Sequence, residues 1–324
     1  MQKIKVAFFG TSDRSLSILE TLNSSFDLSL CITKKDSRVG RKQEVRETAV
    51  KKWAKNNKVD FVEIDSLKEK DLKRVLEHIK DSKVQFGVVA DFSLMIPEEL
   101  ISYFEGKLIN IHFSLLPKYR GASPVQFAIL NGDETIGITY QLVHEKMDRG
   151  AILFQVGYKM TGKETSGELY KVLFEIAAQK LPQVLSDYAN EIIEPQEQDE
   201  EQATYTFSPT KPRSTHIYKA DAQIDWKSGA EKVYNQIRAY NPWPIAWCYL
   251  KDLEKAPCLN DGKIKLKPSV DKELKVKIYT AELVGGNEDT TNIKSGKITL
   301  LIRQLQVEGK KLVEWEDFKN GYLE

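Results

Sequence analysis

Cysteine is scarce in this 324-residue chain: Cys31, Cys248 and Cys258 are an odd number without a Cys-x-x-Cys spacing. That disfavours a disulfide framework and a zinc site, and it makes a reducing cytoplasm the expected compartment. The four histidines, His78, His112, His144 and His216, lack any His-Glu-x-x-His-like spacing, so no metal is expected. No apolar run approaches the ~18–20 residues needed to span a bilayer, so no membrane association is expected. Gly-x-Gly-x-x-Gly and Gly-x-x-x-x-Gly-Lys loops are both missing, which disfavours dinucleotide binding and P-loop chemistry. The strand-like run Ile4–Phe9 leaves no room ahead of it for a leader, so none is expected.

Neither sign of charge dominates: 48 Lys+Arg stand against 47 Asp+Glu, a formal net +1. The near-balance conceals a pattern. Residues 186–202 carry seven acidic side chains and no basic one, whereas residues 33–58 carry ten basic and three acidic ones. The basic stretch is dense enough to meet a polyanion; a solvated loop and helix face is the plain alternative. The length suggests two domains at about 100–200 residues each. A hydrophobic fraction of 41% with 29% charged residues fits a soluble globular protein.

The first half alternates short apolar runs with helical patterns, which predicts an α/β domain with a mostly parallel sheet. Strands are expected at Ile4–Phe9, Leu28–Thr33, Phe61–Ile64, Phe86–Ala90, Lys107–Ile111, Gly137–Val143 and Ile152–Met160. Helices are expected after Ser12 or Asp13 and over Val45–Asn56, Lys68–Ile79, Ser123–Leu130 and Gly167–Tyr188. The polar, acidic stretch after the last of these helices reads as a linker, assigned to residues 190–207. Beyond it, short β-rich runs after a helix at Ser228–Ala239 predict a small antiparallel barrel. The expected division is therefore 1–189, 190–207 and 208–324.

The densest chemical signal lies between Asn110 and Gly150. Asn110-Ile111-His112 sits where a strand ends, the place at which open α/β sheets put their active sites. Two residues apart on extended chain, Asn110 and His112 share one face. Met147-Asp148-Arg149-Gly150 adds a carboxylate in a turn between strands. Asn, His and Asp together without a Ser or Cys nucleophile suggest direct acyl transfer. An amide donor can stabilise the tetrahedral oxyanion, a contribution worth about 3–4 kcal/mol in a characterised acyl-transfer enzyme. Imidazole can move protons near neutrality. Taken alone, a strand-end histidine is more often structural.

The run Asn110-Ile111-His112-Phe113-Ser114-Leu115-Leu116-Pro117-Lys118-Tyr119-Arg120-Gly121-Ala122-Ser123-Pro124-Val125-Gln126, followed by Asp148-x-Gly150, resembles the formyltransferases that use 10-formyltetrahydrofolate. The resemblance extends over essentially the full chain. It takes in Phe9-Gly10-Thr11-Ser12-Asp13, the basic Asp36-Ser37-Arg38-Val39-Gly40-Arg41-Lys42 and Ile224-Asp225-Trp226. It also takes in Ile237-Arg238-Ala239-Tyr240-Asn241-Pro242-Trp243-Pro244 and Gln306-Val307-Glu308-Gly309-Lys310-Lys311. These second-half motifs are similar to the branch of the family that acts on methionyl-tRNA.

The resemblance implies a Rossmann-like formyltransferase domain followed by an OB-like barrel that holds tRNA through phosphate contacts. It implies that Asn110 stabilises the oxyanion, that His112 assists and moves protons, and that Asp148 pairs with His112 or a water and helps deprotonate the attacking amine. Ser114, Leu115, Leu116 and Pro117 would border the folate, with Val89, Ala90, Asp91, Phe92 and Ser93 near its pterin. Lys34, Lys35, Arg38, Arg41 and Lys42 would reach the acceptor-stem end of initiator methionyl-tRNA, with Arg213, Lys219 and Arg238 as further phosphate contacts. For those last three an ordinary surface ion pair is the plain alternative, and for Trp243 a structural junction. A monomer is also implied. The chain departs from the family pattern at Ser12, Arg14, Asp91, Phe92, Phe113, Arg149 and Ala151, all around the substrate pockets. Formylation of a small amine, hydrolysis of the formyl donor and a catalytically silent RNA-binding protein are the alternatives.

Overall fold

The computed structural model describes residues 3–39, 44–259, 264–285 and 298–324, with the side chains of 37–39 and 44 excepted. The chain divides into two compact units. Met1–Gly121, Ile136–Tyr158 and Tyr170–Tyr205 make the first, and Ala122–Thr135, Lys159–Leu169 and Thr206–Glu324 the second. Among the described residues the strands run β1 Lys5–Phe9, β2 Asp27–Lys34, β3 Ser37–Val39, β4 Glu44–Arg46, β5 Asp60–Ile64, β6 Phe86–Val89, β7 Leu108–His112, β8 Thr135–Leu142, β9 Ile152–Lys159, β10 Ala246–Tyr249, β11 Lys275–Val284, β12 Thr299–Val307 and β13 Leu312–Glu314. The helices are α1 Leu16–Ser25, α2 Ala49–Asn57, α3 Glu69–Asp81, α4 Glu98–Phe104, α5 Pro124–Asn131, α6 Ser166–Ala189, α7 Ala230–Ala239, α8 Leu250–Leu253 and α9 Trp315–Tyr322.

The first unit is built on a seven-stranded sheet of order β5-β2-β1-β6-β7-β8-β9. The pairs β1–β2, β1–β6, β2–β5 and β6–β7 are parallel, and β7–β8 is antiparallel. Central β1 carries Val6-Ala7-Phe8-Phe9 fully buried on both faces, the pattern of a parallel strand covered from both sides. Each such large side chain contributes about 1.5–3 kcal/mol of burial. Helix α3 turns Leu72, Val75, Leu76 and Ile79 inward, the i, i+3, i+4, i+7 spacing of one helical face. The chain reverses its direction of winding between β1 and β6, so their carboxyl ends open the crevice where α/β sheets bind ligands. At that point Gly10 has no room for a side chain, since a Cβ would lie 2.4 Å from the Phe8 ring and 3.0 Å from the Ala90 carbonyl.

The expected helix at Val45–Asn56 is instead a strand followed by a shorter helix. Thr48 accepts a hydrogen bond from Lys51 N and caps α2 at its start. That leaves residues 44–46 to pair with 37–39 as a hairpin.

The second unit contains an antiparallel sheet of order β10-β11-β12-β13, the small β unit expected from the second half of the sequence. Its inward residues Ala246, Cys248, Val276, Ile278, Leu300, Ile302 and Leu305 pack with Val233 and Ile237 of α7 and with Trp315 and Phe318 of α9.

Between Thr206 and Asp221 the chain is organised by one carboxylate. Asp221, buried, accepts hydrogen bonds from Ser208 Oγ at 2.8 and 2.9 Å, from Thr210 N at 3.0 Å, from Tyr218 N at 2.7 Å and from Thr210 Oγ1. Burial alone would raise the pKa of this carboxyl. The donors from Thr210, Tyr218 and Ser208 outweigh it and hold the group below the ordinary carboxylate range. Its stabilising contribution is therefore present above the unfolded value near about 3.9 and is lost as pH falls through the folded one. Asp221→Asn, which turns an amide against donors, is expected to cost about 1–3 kcal/mol at pH 7. The denaturation curves of the two proteins should begin to approach each other only below about pH 4 and meet once the pH has fallen past the lowered folded value.

Candidate active site

Strand β7 delivers the central pair. Asn110 and His112 lie on one face of the sheet, opposite Gln141 and Thr139 of β8 in register. Thr139 organises the loop that leaves β7: its hydroxyl donates to the Ser114 carbonyl at 2.6 Å and accepts from Leu116 N at 3.1 Å. It also accepts from Gln155 Nε2 at 2.8 Å, an amide that donates in turn to the Leu116 carbonyl at 2.9 Å. The loop from Ser114 to Pro117, expected beside folate, is thus fixed from beneath. Ser114 itself is buried and donates to the Lys118 carbonyl at 2.6 Å; its side chain shapes the turn.

His112 is 6% exposed. Its Nε2 lies 3.0 Å from the Tyr119 carbonyl. A carbonyl only accepts, so Nε2 carries the ring proton, and Nδ1 is the atom at which a proton can be gained or released. Nδ1 faces Asp148 Oδ1 at 3.6 Å, an ion-pair separation once the ring is protonated.

Asp148 sits in the left-handed region at φ 54°. It is held there by Gly121 N at 2.8 Å on Oδ2 and by Gln141 Nε2 at 3.0 Å on Oδ1. Two residues on, Gly150 is pressed against β8, where a Cβ would fall 1.7 Å from the Leu142 carbonyl. Asn110 is partly exposed. Among the described residues, no hydrogen-bond partner holds its carboxamide, so the amide is available to a ligand.

Behind this group lies a polar cluster that composition did not reveal. Arg120 is fully buried, and a buried guanidinium requires acceptors. It finds them in Gln198 and Glu200, within the stretch expected to be a linker. Residues 196–205, themselves part of the first unit, are tied to the rest of it at several further points. Gln196 bridges to Ile152, Arg120 N donates to the Thr204 carbonyl at 2.8 Å, and Tyr119 N donates to Thr204 Oγ1 at 2.8 Å. The hydrogen bond from Arg120 holds the Glu200 carboxyl below its ordinary pKa. Burial would raise the Tyr205 hydroxyl, but donors from Arg120 and Arg149 outweigh it and lower that group too.

Several family departures are mutually accommodated. Ser12 Oγ and Arg14 both reach Asp91 Oδ2, Arg14 at 2.7 Å through Nη2, and the guanidinium lies 4.2 Å from the Tyr170 ring centroid. Asp91, two residues beyond β6, adopts φ 51°. Phe113, next after His112, is buried against Phe174 with ring centroids 4.1 Å apart, so its bulk is absorbed under α6. Phe92 packs edge-on to Phe9 at 5.8 Å. Arg149 donates to Tyr205 Oη at 2.9 Å. Ala151 is buried, its carbonyl accepting from Leu142 N at 2.9 Å. Of the other expected pterin neighbours, Val89 and Ala90 are buried and Ser93 is exposed; Leu115 and Pro117 are half-buried, and Leu116 is buried.

The expected tRNA contacts divide. Arg41 and Lys42 lie outside the described residues, as does the side chain of Arg38. Lys34 is half-buried and Lys35 is exposed but paired with Asp65. Arg213 and Lys219 are exposed on the segment that Asp221 organises. Arg238 differs from its expected place. It is buried, donating to the Glu164 carbonyl at 3.1 Å and to Asn235 Oδ1 at 2.6 Å beside the Tyr234 ring. Its motif occupies a helical face that turns inward, so it serves the packing of α7.

A basic and aromatic face escaped sequence reasoning. On β10, Trp247 and Tyr249 alternate with buried Ala246 and Cys248, and they pair in register with exposed Lys277 and Lys275. Lys275 Nζ sits 4.5 Å from the Trp247 ring centroid. The alternation Ala-Trp-Cys-Tyr was the available signal. Trp243 is 53% exposed. Among the described residues no helix is long and apolar enough to cross a membrane, and no group of three His, Cys, Asp or Glu is placed to hold a metal.

Comparison with known proteins shows the family. Residues 3–185 match the formyl transferase family model, and residues 216–323 match that of the formyl transferase C-terminal domain. A methionyl-tRNA formyltransferase of Bacillus cytotoxicus is 33% identical over 98% of this chain and 96% of its own. Another, from Bacillus thuringiensis subsp. konkukian, is 31% identical with the same coverages. Among solved structures, a methionyl-tRNA formyltransferase from Clostridium thermocellum superposes with a TM-score of 0.55 at 16% identity, covering 96% of this chain and 99% of that one. An N-formyltransferase from Helicobacter canadensis, in complex with folinic acid and dTDP-3-aminofucose, reaches 0.58 at 21% identity, covering 93% and 99%. At these identities the two structures speak to the fold alone. With both halves matched and the Asn110, His112 and Asp148 group assembled at the strand ends, the chain belongs to the formyl transferase family.

Proposed function

We propose that this formyltransferase moves the formyl group of 10-formyltetrahydrofolate onto the free α-amino group of methionyl initiator tRNA, in support of translation initiation. The observation that carries the choice of acceptor is that relatives named methionyl-tRNA formyltransferase match the chain from end to end, through both halves.

In this reading the amine attacks the formyl carbon directly. Asn110 donates to the oxyanion of the tetrahedral intermediate. His112 takes up the amine proton at Nδ1, Asp148 stabilises the imidazolium so formed or orients a water, and the proton passes to the folate nitrogen as its bond to the formyl carbon breaks and tetrahydrofolate leaves. An α-amino group with a reference pKa of about 7.7–8.0 needs only a modest base, so no covalent enzyme intermediate is required. The folate lies along the strand-end residues 89–93 and the loop 114–117, where Val89, Leu115 and Leu116 offer an apolar wall. Residues 1–189 form the catalytic domain and residues 208–324 the tRNA-holding one. Arg213, Lys219 and the Trp247, Tyr249, Lys275 and Lys277 face supply phosphate contact and base stacking. The basic segment containing Lys34, Lys35, Arg38, Arg41 and Lys42 reaches the acceptor end. The protein acts as a monomer in the cytoplasm.

The test is a formyl-transfer assay with 10-formyltetrahydrofolate and three conditions: methionyl initiator tRNA, methionyl elongator tRNA and no acceptor. Product with the initiator alone is the expected result. Folate turnover without acceptor would replace transfer by hydrolysis. Inactivity with every tRNA in a protein that still binds folate would replace the acceptor by a small amine.

A further inference from the structure

We propose that Gln198 is a positioning residue for Asp148, so that the acidic stretch after α6 is part of the catalytic apparatus. The inference rests on the role given above to Asp148. Gln198 is 9% exposed and stands between a cation and the catalytic turn. Its Oε1 accepts from Arg120 Nε at 3.1 Å and Nη2 at 2.8 Å. Its Nε2 faces the carbonyls of Asp148 at 2.9 Å and Gly150 at 2.8 Å, and Gln141 Oε1 at 3.3 Å. Gln141, 2% exposed, in turn directs Nε2 to Asp148 Oδ1 at 3.0 Å.

The orientation of both amides is set by their surroundings. A guanidinium only donates, so the end of Gln198 that faces Arg120 must be its oxygen. Carbonyls only accept, so the opposite end must be its nitrogen. The two constraints are independent and they agree. Gln141 must then receive Gln198 with its own oxygen, which leaves its nitrogen for the carboxylate of Asp148.

Arg120, Gln198 and Gln141 thus form a directed chain of donors that ends on the group facing His112. Gln198 also grips the backbone on both sides of Arg149, which holds Asp148 in its left-handed conformation. In a buried setting such a chain is strong when complete and costly when broken. Glu200, Tyr205 and Thr204 anchor the same stretch independently of Gln198.

Gln198→Glu separates positioning from anchoring. It retains an acceptor for Arg120, so the stretch stays tied, but it sets a carboxylate against two carbonyls where the amide donated. We expect kcat with methionyl initiator tRNA to fall about 10–10²-fold, the scale of a displacement near 1 Å at a reacting group, with KM for both substrates unchanged. Gln198→Met, similar in volume and apolar, should do the same, and it serves should the Glu variant melt below the assay temperature. In an Asp148→Ala background either change should have no further effect, because coupled residues are non-additive. A crystal structure of the variant should show the separation of His112 Nδ1 from Asp148 Oδ1 altered from 3.6 Å.

Wild-type kcat in Gln198→Glu, or a full additional loss on top of Asp148→Ala, would overturn the proposal. An unmoved Asp148 in the variant crystal would overturn it whether or not the parent formylates tRNA. Absence of transfer by the parent would instead count against the choice of acceptor.

Discussion

His112→Ala should lower turnover by a factor of order 10²–10⁴, the range for loss of a general acid or base, while folate binding persists. The geometry explains why the loss is large. The ring is almost fully buried, its Nε2 proton is committed to the Tyr119 carbonyl, and its Nδ1 faces the Asp148 carboxylate. No other imidazole is hydrogen-bonded into this network among the described residues; His144, in the same connection as Asp148, instead accepts from Lys146 N at 3.0 Å. Water is the alternative proton carrier and lacks the fixed orientation. The check is steady-state kinetics with saturating folate and varied tRNA. Unchanged kcat would remove His112 from the reaction and leave it a packing residue of the 112–119 loop.

Gly150→Ala should damage both the site and the fold. A Cβ there lands 1.7 Å from the Leu142 carbonyl and 2.7 Å from its carbon, and those atoms are strand backbone with no flexible end to swing away. The turn must therefore back off from β8. Overpacking of this kind costs about 1–3 kcal/mol. The same shift carries Asp148 away from Gly121 N and Gln141, which already hold it at positive φ. A displacement near 1 Å at a catalytic group costs about 10²-fold. Thermal melts and kcat should thus fall together. A variant with parental kcat would place Asp148 outside the reaction. The position shows why a residue with no side chain belongs to the motif that suggested the site.

Much of the fold was legible because it is written in local periodicity. The buried run of β1 and the inward stripe of α3 each depend on which face meets the core. Asn110 and His112 were legible for the same reason, since a two-residue offset in a strand fixes a common face. Their register opposite Gln141 and Thr139 was not, because pairing across strands is a long-range choice. Helix α2 was misplaced at its start since Val45 suits either pattern, and only the Thr48 cap decides.

Length and the alternation of elements were enough to read an α/β unit followed by a small β unit from the sequence alone, and the family resemblance carried by the Asn110 to Gly150 motifs supplied the formyltransferase reading. Only tertiary structure decided that Arg238 turns inward and that Arg14 meets Asp91 across 77 positions. It also decided that residues 196–205, which overlap the acidic stretch 186–202, are hydrogen-bonded to the chain at Tyr119 and Arg120. Charge density describes how a segment behaves in water. Once Arg120 is fully buried, its guanidinium must be given acceptors, and a nearby run rich in Gln and Glu is where the folded chain finds them.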